Sequence, residues 1–334
     1  VPIGIAVFGA GRIGAVHARN IACHENARLA GIADIDRAAA AALAAVTAGR
    51  VDTVENFLAD PGVDAVAIAT PTGTHVELIR QAAAAKKHIF CEKPISMDVR
   101  TTIEAAEAAR KAGVILQIGF QRRFDRDFLR AREAIDSGEL GEVRYMRLVG
   151  RDRTLPPIEY LRTSGGQYKD QMIHDFDAAR WFMQPQEVHE VQATGSALAD
   201  PRVAEAGDVD TAVACLRFSN GAIAVVEAAR EAAYGYDTRT ELHGSRGLLL
   251  NGYEGFKNGQ ILDASLLSQH NDSFVTRFAD AYRLEIDDFI DAVQSGRAPR
   301  VGAGDALQAL RIAIAADRSW HSGRAVKLVD VEGA

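Results

Sequence analysis

The residues Ile3-Gly4-Ile5-Ala6-Val7-Phe8-Gly9-Ala10-Gly11-Arg12-Ile13-Gly14 constrain the fold more than any other stretch: an apolar run empties into three glycines spaced G-x-G-x-x-G. Each glycine answers a separate steric demand. Gly9 lets the chain turn tightly out of a strand, Gly11 lets the backbone approach a pyrophosphate, and Gly14 lets the next helix close against the strand. The phosphates then meet the open N–H groups at the helix start, beside Arg12 and Ile13. A second apolar run, Leu29-Ala30-Gly31-Ile32-Ala33, ends at Asp34, 20 residues beyond Gly14. A carboxylate there accepts from the adenine-ribose hydroxyls and repels a 2′-phosphate, which favours NAD over NADP. The competing reading is a plain glycine turn, with Asp34 capping Ile35-Asp36-Arg37.

Strand and helix signals go on alternating. Helices are expected over 12–23, 37–46, 55–58, 76–85 and 97–112, the last with Ser96 or Asp98 near its start. Strands are expected at 51–54, 63–69, 88–91 and 114–119. The run Val63 to Ala69 is apolar throughout, as a strand covered on both faces requires. It ends in Thr70-Pro71-Thr72-Gly73-Thr74-His75, which has the position of a loop at the carboxyl edge of a parallel sheet, where ligands bind. The strand His88 to Cys91 is followed by Glu92-Lys93-Pro94. Lys93 falls at the same edge, on backbone restricted by Pro94; a solvated loop lysine is the plainer alternative. His17, within the first helix, reads as a surface or phosphate-side histidine. Six such alternations over about 120 residues predict a doubly wound parallel sheet.

Beyond Gly119 the pattern changes. A helix over 126–137 leads into alternating strands at 143–149, 188–195, 211–218, 222–229, 238–244 and 247–251, with Asn220-Gly221 as a hairpin turn. This predicts a second α+β domain with a large open, mostly antiparallel sheet, partly covered by a helix over 170–182. Helical periodicity returns at 274–295 and 303–322, in helices expected to pack back on the first domain. The expected domains are 1–121 and 122–334, which suits a chain of 334 residues.

Bulk properties remove several function classes. A net charge of -7 without a basic run argues against a nucleic-acid partner. No apolar stretch reaches the roughly 20 residues of a membrane helix, and the first residues carry no basic leader, so a cytoplasmic location is expected. Cys23, Cys91 and Cys215 are odd in number and widely separated, so they read as small buried hydrophobes rather than a disulfide or zinc framework.

In the second half, Ser164-Gly165-Gly166-Gln167-Tyr168-Lys169-Asp170-Gln171-Met172-Ile173-His174-Asp175-Phe176-Asp177 is the most informative stretch. Asp170 and His174 are four apart and share one face of a helix, with Asp177 a turn further on. A histidine held by a carboxylate can accept a hydroxyl proton near neutral pH, as alcohol oxidation needs. An N-cap at Asp170 with a satisfied surface histidine competes with this. So does a metal set of Asp170, His174 and Asp177, which no cysteine pattern supports; no metal is expected.

Together, Gly9-Ala10-Gly11-Arg12-Ile13-Gly14, Glu92-Lys93-Pro94, and Gly165-Gly166 with Asp170-x-x-x-His174 resemble the Gfo/Idh/MocA oxidoreductases across the whole chain. Within that family, Gln121-Arg122-Arg123-Phe124-Asp125, Ile173-His174-Asp175-Phe176-Asp177 and Tyr234-Gly235-Tyr236-Asp237-x-Arg239 look most like inositol 2-dehydrogenases. The resemblance implies an N-terminal Rossmann domain, NAD as cofactor and a homotetramer formed through the second sheets. It implies Lys93, Asp170 and His174 as the catalytic group, with the Lys93-Pro94 bond often cis. It also implies cofactor contacts from Thr70, Pro71, Thr72, His75, Glu92 and Lys93, and substrate contacts from Lys93, Arg123, Asp152, Asp170, His174, Asp177 and Tyr236. Two departures bear on the substrate: Gly150-Arg151-Asp152 stands where some inositol dehydrogenases carry His-Arg-Asn, and Gln121 where they carry Asn.

The function expected is oxidation of a secondary hydroxyl of a cyclic polyol, foremost myo-inositol to its 2-keto product (scyllo-inosose). Scyllo-inositol, another inositol or an aldose is the alternative on the same frame. A non-catalytic NAD(H)-binding regulator is the alternative of another class, and a metal-dependent lyase or isomerase a third.

Overall fold

The computed structural model describes residues 2–253, 261–263 and 273–331. The chain divides into two compact units, Val1–Phe124 with Asp280–Leu307, and Asp125–Ala279 with Gln308–Ala334. The second stretch of the first unit thus follows, in sequence, every strand of the second sheet but the last.

The first unit is built on six parallel strands: β1 (Ile3–Phe8), β2 (Ala27–Ala33), β3 (Arg50–Val51), β4 (Ala65–Ile68), β5 (His88–Glu92) and β6 (Leu116–Gly119), in the order β3-β2-β1-β4-β5-β6. The doubly wound sheet predicted from the alternation of elements is therefore present. Strand order reverses between β1 and β4, so their carboxyl ends open the crevice where ligands of such sheets bind. Both faces are covered. Ile5, Val7, Ile32 and Phe90 are buried in one core with Ile286, Phe289 and Ile290 from the late helix Ala279–Ser295. Helix starts are set by local chemistry: Asp36 accepts from the N–H groups of Ala38 and Ala39, and Asp98 from that of Thr101. The short strand expected over 51–54 is confined to Arg50–Val51, because Thr53 instead caps the helix Val54–Ala59 by accepting from Asn56 N–H.

The second unit carries a mixed sheet of β7 (Val143–Arg151), β8 (Val188–Ser196), β9 (Thr211–Phe218), β10 (Ile223–Ala229), β11 (Asp237–Gly244), β12 (Leu248–Asn251) and β13 (Val326–Lys327). Its order is β12-β11-β7-β10-β9-β8-β13, antiparallel except where β7 lies parallel to β10. The two-residue β13 has no sequence signal of its own and exists by pairing with β8. Strand β9 alternates strictly, with Ala212, Ala214, Leu216 and Phe218 buried and Val213, Cys215 and Arg217 outward. The helix Ile173–Met183 packs on the covered face. Gly221, with φ of 89°, turns β9 into β10.

The single helix expected over 170–182 is instead two. A short helix, Gly166–Asp170, follows the left-handed Gly165 and Gly166, and a new one begins at Ile173. The break has a tertiary cause: the Gln171 side chain donates to the carbonyls of Gly150 and Ala229 in the sheet, and Met172 N–H folds back to Gln167 O. Likewise 274–295 divides into Phe274–Arg277 and Ala279–Ser295. Among the described residues, no helix is long and apolar enough to cross a membrane.

Candidate active site

The three glycines of the first turn have three different surroundings. Gly9 adopts φ of 104°, and a Cβ on it would sit 2.5 Å from Ala69 O. A Cβ on Gly14 would lie 2.0 Å from Gly9 O, so only glycine lets helix Arg12–Ala22 start this close to β1. Gly11 has nothing within 4 Å of where its Cβ would be, and as N-cap it makes no side-chain hydrogen bond. The helix therefore presents uncapped N–H groups, with Arg12 and Ile13 in its first turn, over a backbone with room for a phosphate group. This is a cradle that fits a dinucleotide pyrophosphate.

Asp34 stands at the end of β2, next to that turn. Its Oδ2 accepts from Ala10 N–H at 2.6 Å and its Oδ1 from Asp36 N–H at 2.8 Å. Capping and ribose binding are thus compatible: one carboxylate ties two loops together and each oxygen keeps a lone pair. The neighbouring Ile35 is fully exposed.

At the carboxyl end of β4, Thr70 and Thr74 join hydroxyls at 2.7 Å, beside Pro71 and Thr72. Buried His75 ties this loop to the next: Nε2 lies 2.8 Å from Thr70 O and Nδ1 2.9 Å from Pro94 O. A neutral ring donates to one of the two carbonyls. Burial holds the pKa of His75 below the ordinary histidine value, against the pull of both carbonyls. The Lys93-Pro94 bond is cis, and Lys93 is half-buried.

Glu92 contradicts the plain reading of His17. That histidine is not at the surface but wholly buried, its Nε2 2.7 Å from Glu92 Oε1. Arg123, in the buried turn Gln121–Phe124, directs Nη2 to Asp305 Oδ1 at 3.0 Å. The cysteine reading holds only for Cys91, since Cys23 and Cys215 are exposed; Cys91 is buried and its thiol pKa is pushed well up by that burial.

In the second unit Asp170 does not cap a helix; Met172 holds that position, without a side-chain bond. Asp170 ends the short helix, where Oδ1 accepts from Tyr160 Oη at 2.9 Å and Oδ2 from Arg230 Nη1 at 3.1 Å. The Arg230 guanidinium, 1% exposed, also donates through Nη2 to Asp208 Oδ2 at 3.3 Å. Asp208 Oδ1 accepts in turn from Gln167 N–H and Val209 N–H, both at 2.8 Å. His174 is half-buried in the first turn of the next helix, and Asp177 one turn on is wholly buried. Asp152 follows β7 with its N–H bonded to Ala229 O. The Tyr-Gly-Tyr-Asp-x-Arg segment forms its own network: Tyr234 Oη donates to Asp237 Oδ2 at 2.7 Å and accepts from Arg151, while Arg239 lies 3.0 Å from Asp237. The ring of Tyr236 packs edge-on against Phe274 and Phe278.

The sequence reading missed Tyr160, Arg230 and Asp208 around Asp170, and Glu285 near Glu92. Arg230 alone left a trace, a charge directly after the apolar end of β10.

Residues 3–120 match the family model described as "Oxidoreductase family, NAD-binding Rossmann fold", and residues 128–250 match the GFO/IDH/MocA C-terminal domain. The chain belongs to the Gfo/Idh/MocA oxidoreductase family. As a family member it is 40% identical to myo-inositol 2-dehydrogenase of Thermotoga maritima, over 98% of this chain and 99% of that one. It is 38% identical to scyllo-inositol 2-dehydrogenase (NAD(+)) of Bacillus subtilis, over 98% and 97%. Among solved structures, scyllo-inositol dehydrogenase of Lactobacillus casei with bound NAD(H) and scyllo-inositol superposes with a TM-score of 0.89 at 27% identity, covering 98% of this chain and all of that one. The NAD-binding Rossmann fold of the first unit is thus shown by the family model, and the whole fold is shared with the NAD(H)-bound structure.

Proposed function

We propose that this oxidoreductase is an NAD-dependent inositol 2-dehydrogenase that oxidises myo-inositol to the 2-keto product. What carries the reading is the likeness over 98% of the chain to a myo-inositol enzyme, together with the presence in this sequence of Gly9-Gly11-Gly14, Glu92-Lys93-Pro94 and Asp170-x-x-x-His174. A second reading, scyllo-inositol as substrate, is favoured by the nearly equal identity of 38% to an enzyme named for it.

Bound NAD+ supplies the hydride acceptor. The uncapped N–H groups after Gly11, with Arg12 and Ile13, hold the pyrophosphate, and Asp34 takes the adenine-ribose hydroxyls. Thr70, Pro71, Thr72, His75 and Glu92 line the nicotinamide side. His174 accepts the hydroxyl proton on its imidazole. Asp170 orients that ring and balances the imidazolium, while Arg230 and Tyr160 keep the Asp170 carboxylate fixed. The ammonium of Lys93 holds the reacting oxygen and stabilises negative charge growing on it. Arg123, Asp152, Asp177 and Tyr236 contact the remaining hydroxyls, a polar set suited to a polyhydroxylated ring. The face of the second sheet bearing Val213, Ile223 and Arg217 is exposed, which supports a homotetramer formed through it. Free Cys23 and Cys215 suit a reducing, cytoplasmic setting.

The test is NADH formation over a panel of myo-, scyllo- and chiro-inositol, glucose and xylose, with NAD and NADP in parallel. Turnover of myo-inositol with NAD is expected; preference for an aldose, or for NADP, would overturn the substrate or the Asp34 assignment. His174→Ala should lower kcat by about 10²–10⁴-fold with NAD affinity kept. Unchanged turnover would remove His174 from the mechanism.

A further inference from the structure

Two side chains of the first unit that have no part in the reading above, His17 and Glu285, converge on Glu92. His17 from helix Arg12–Ala22, Glu92 at the end of β5 and Glu285 from helix Ala279–Ser295 bring a ring nitrogen and two carboxyl groups within 4.8 Å of one another. Glu92 is held on three sides. Its Oε1 meets His17 Nε2 at 2.7 Å, and its Oε2 accepts from Lys93 N–H at 3.3 Å. Opposite it in β6, Gly119 has no side chain, and a Cβ there would press on the carboxylate at 3.0 Å.

Glu285 is different. It is wholly buried, in a core that includes Phe90, Ile286 and Phe289, and neither carboxyl oxygen has a hydrogen-bond partner among the described residues. Its backbone carbonyl accepts from Gln117 Nε2 at 2.7 Å, which anchors this turn of the helix to β6. An ionised carboxylate so placed is costly, and a second negative charge beside Glu92 raises the cost. Either a cation or a proton would relieve it. The spacing of His17 and Glu92 favours the proton: at 2.7 Å the two atoms share a hydrogen, whereas ligands of one zinc stand roughly 3.3 Å apart.

We propose that Glu285 is a neutral carboxylic acid in the folded enzyme and a positioning residue for Glu92, leaving one carboxylate charge in the cluster to hold the backbone that carries Lys93. The proposal rests on the role given to Lys93 above. Burial, and then the charge of Glu92, push the pKa of Glu285 well above the ordinary carboxyl value. Among the described residues, the histidine and acidic groups clustered with it are His17 and Glu92. Glu92 in turn shares the electrostatic surroundings of His75 with Lys93, and β6 contributes the uncharged amide of Gln117. Ionising Glu285 as pH rises adds a second charge that repels Glu92 and loosens the Lys93 backbone.

The experiment compares the full-length enzyme with Glu285→Gln and Glu285→Leu. Glu285→Gln should keep kcat/KM within about twofold at neutral pH and lose a fall-off with rising pH that the parent is expected to show. Glu285→Leu, which carries no charge at any pH, should likewise lose that fall-off with the KM for NAD unchanged. The infrared difference between parent and Glu285→Gln should contain the C=O stretch of a carboxylic acid. That arm needs no substrate, so it reads Glu285 even if the polyol reading fails and the kinetics are silent. Absence of the band overturns the proposal, as does one equivalent of divalent metal in the parent that Glu285→Gln lacks. Identical pH profiles in parent and Glu285→Gln would reduce Glu285 to packing.

Discussion

Asp208 and Glu285 are carboxyl groups withdrawn from water, one in each unit, and the chain accommodates them differently. Asp208 shares the buried Arg230 guanidinium with Asp170 and accepts two backbone N–H bonds besides. Among the described residues Glu285 meets no such donor, and it clusters with another carboxylate and a histidine. A guanidinium keeps its charge at any working pH and offers donors to two acids at once, so it fixes ionised carboxylates. Where no guanidinium reaches, a proton is the remaining counterweight, and charge then depends on pH. The difference suits the work of each place. In the mechanism proposed above, Asp170 stays ionised to support an imidazolium, whereas Glu285 has only to leave Glu92 undisturbed.

The contrast is broken most strongly at Arg230. Arg230→Met leaves Asp170 and Asp208 without their cation and should cost about 3–5 kcal/mol in urea unfolding; a loss below 1 kcal/mol would mean that the two acids do not depend on it. Glu285→Gln should have an intermediate effect that depends on pH. The raised pKa means that the folded state keeps its proton after the unfolded chain has released it. Glu285's share of stability is therefore complete below the ordinary value of 4.5 and is lost as pH rises toward the folded pKa. Melting temperatures of the parent should fall relative to Glu285→Gln from acid to neutral pH, and parallel curves would refute a neutral Glu285. The smallest effect belongs to Tyr160→Phe, which removes one bond to Asp170 from a tyrosine that is itself 47% exposed. About 1 kcal/mol of stability is expected; a larger loss would make Tyr160, and not Arg230, the main support of Asp170.

How much of this was legible beforehand differs between the two units. The glycine turn could be read almost residue by residue, because Gly9 and Gly14 meet their steric demands within one strand-turn-helix passage. Helix boundaries set by Asp36 and Asp98 were close for the same reason: a cap acts over three residues. Asp170 and His174 were found by spacing, yet the helix imagined to carry both is broken, because Gln171 reaches carbonyls of β7 and β10 that lie 21 and 58 residues away in sequence. The expectation of a surface or phosphate-side His17 fails for a like reason. Its helix has a polar side by composition, and only the seating of that helix against β5 turns the ring onto Glu92.

By itself, then, the order of residues determined what short-range sterics and periodicity can determine: a glycine turn that excludes side chains, an alternation that yields a parallel sheet, and a strict two-residue rhythm in β9. The tertiary structure decided where charge goes. Pairings such as Arg230 with Asp170 and Asp208, or His17 with Glu92 near Glu285, join groups 22 to 268 residues apart. Their energies depend on burial and on distances of a few ångströms, which no local pattern encodes.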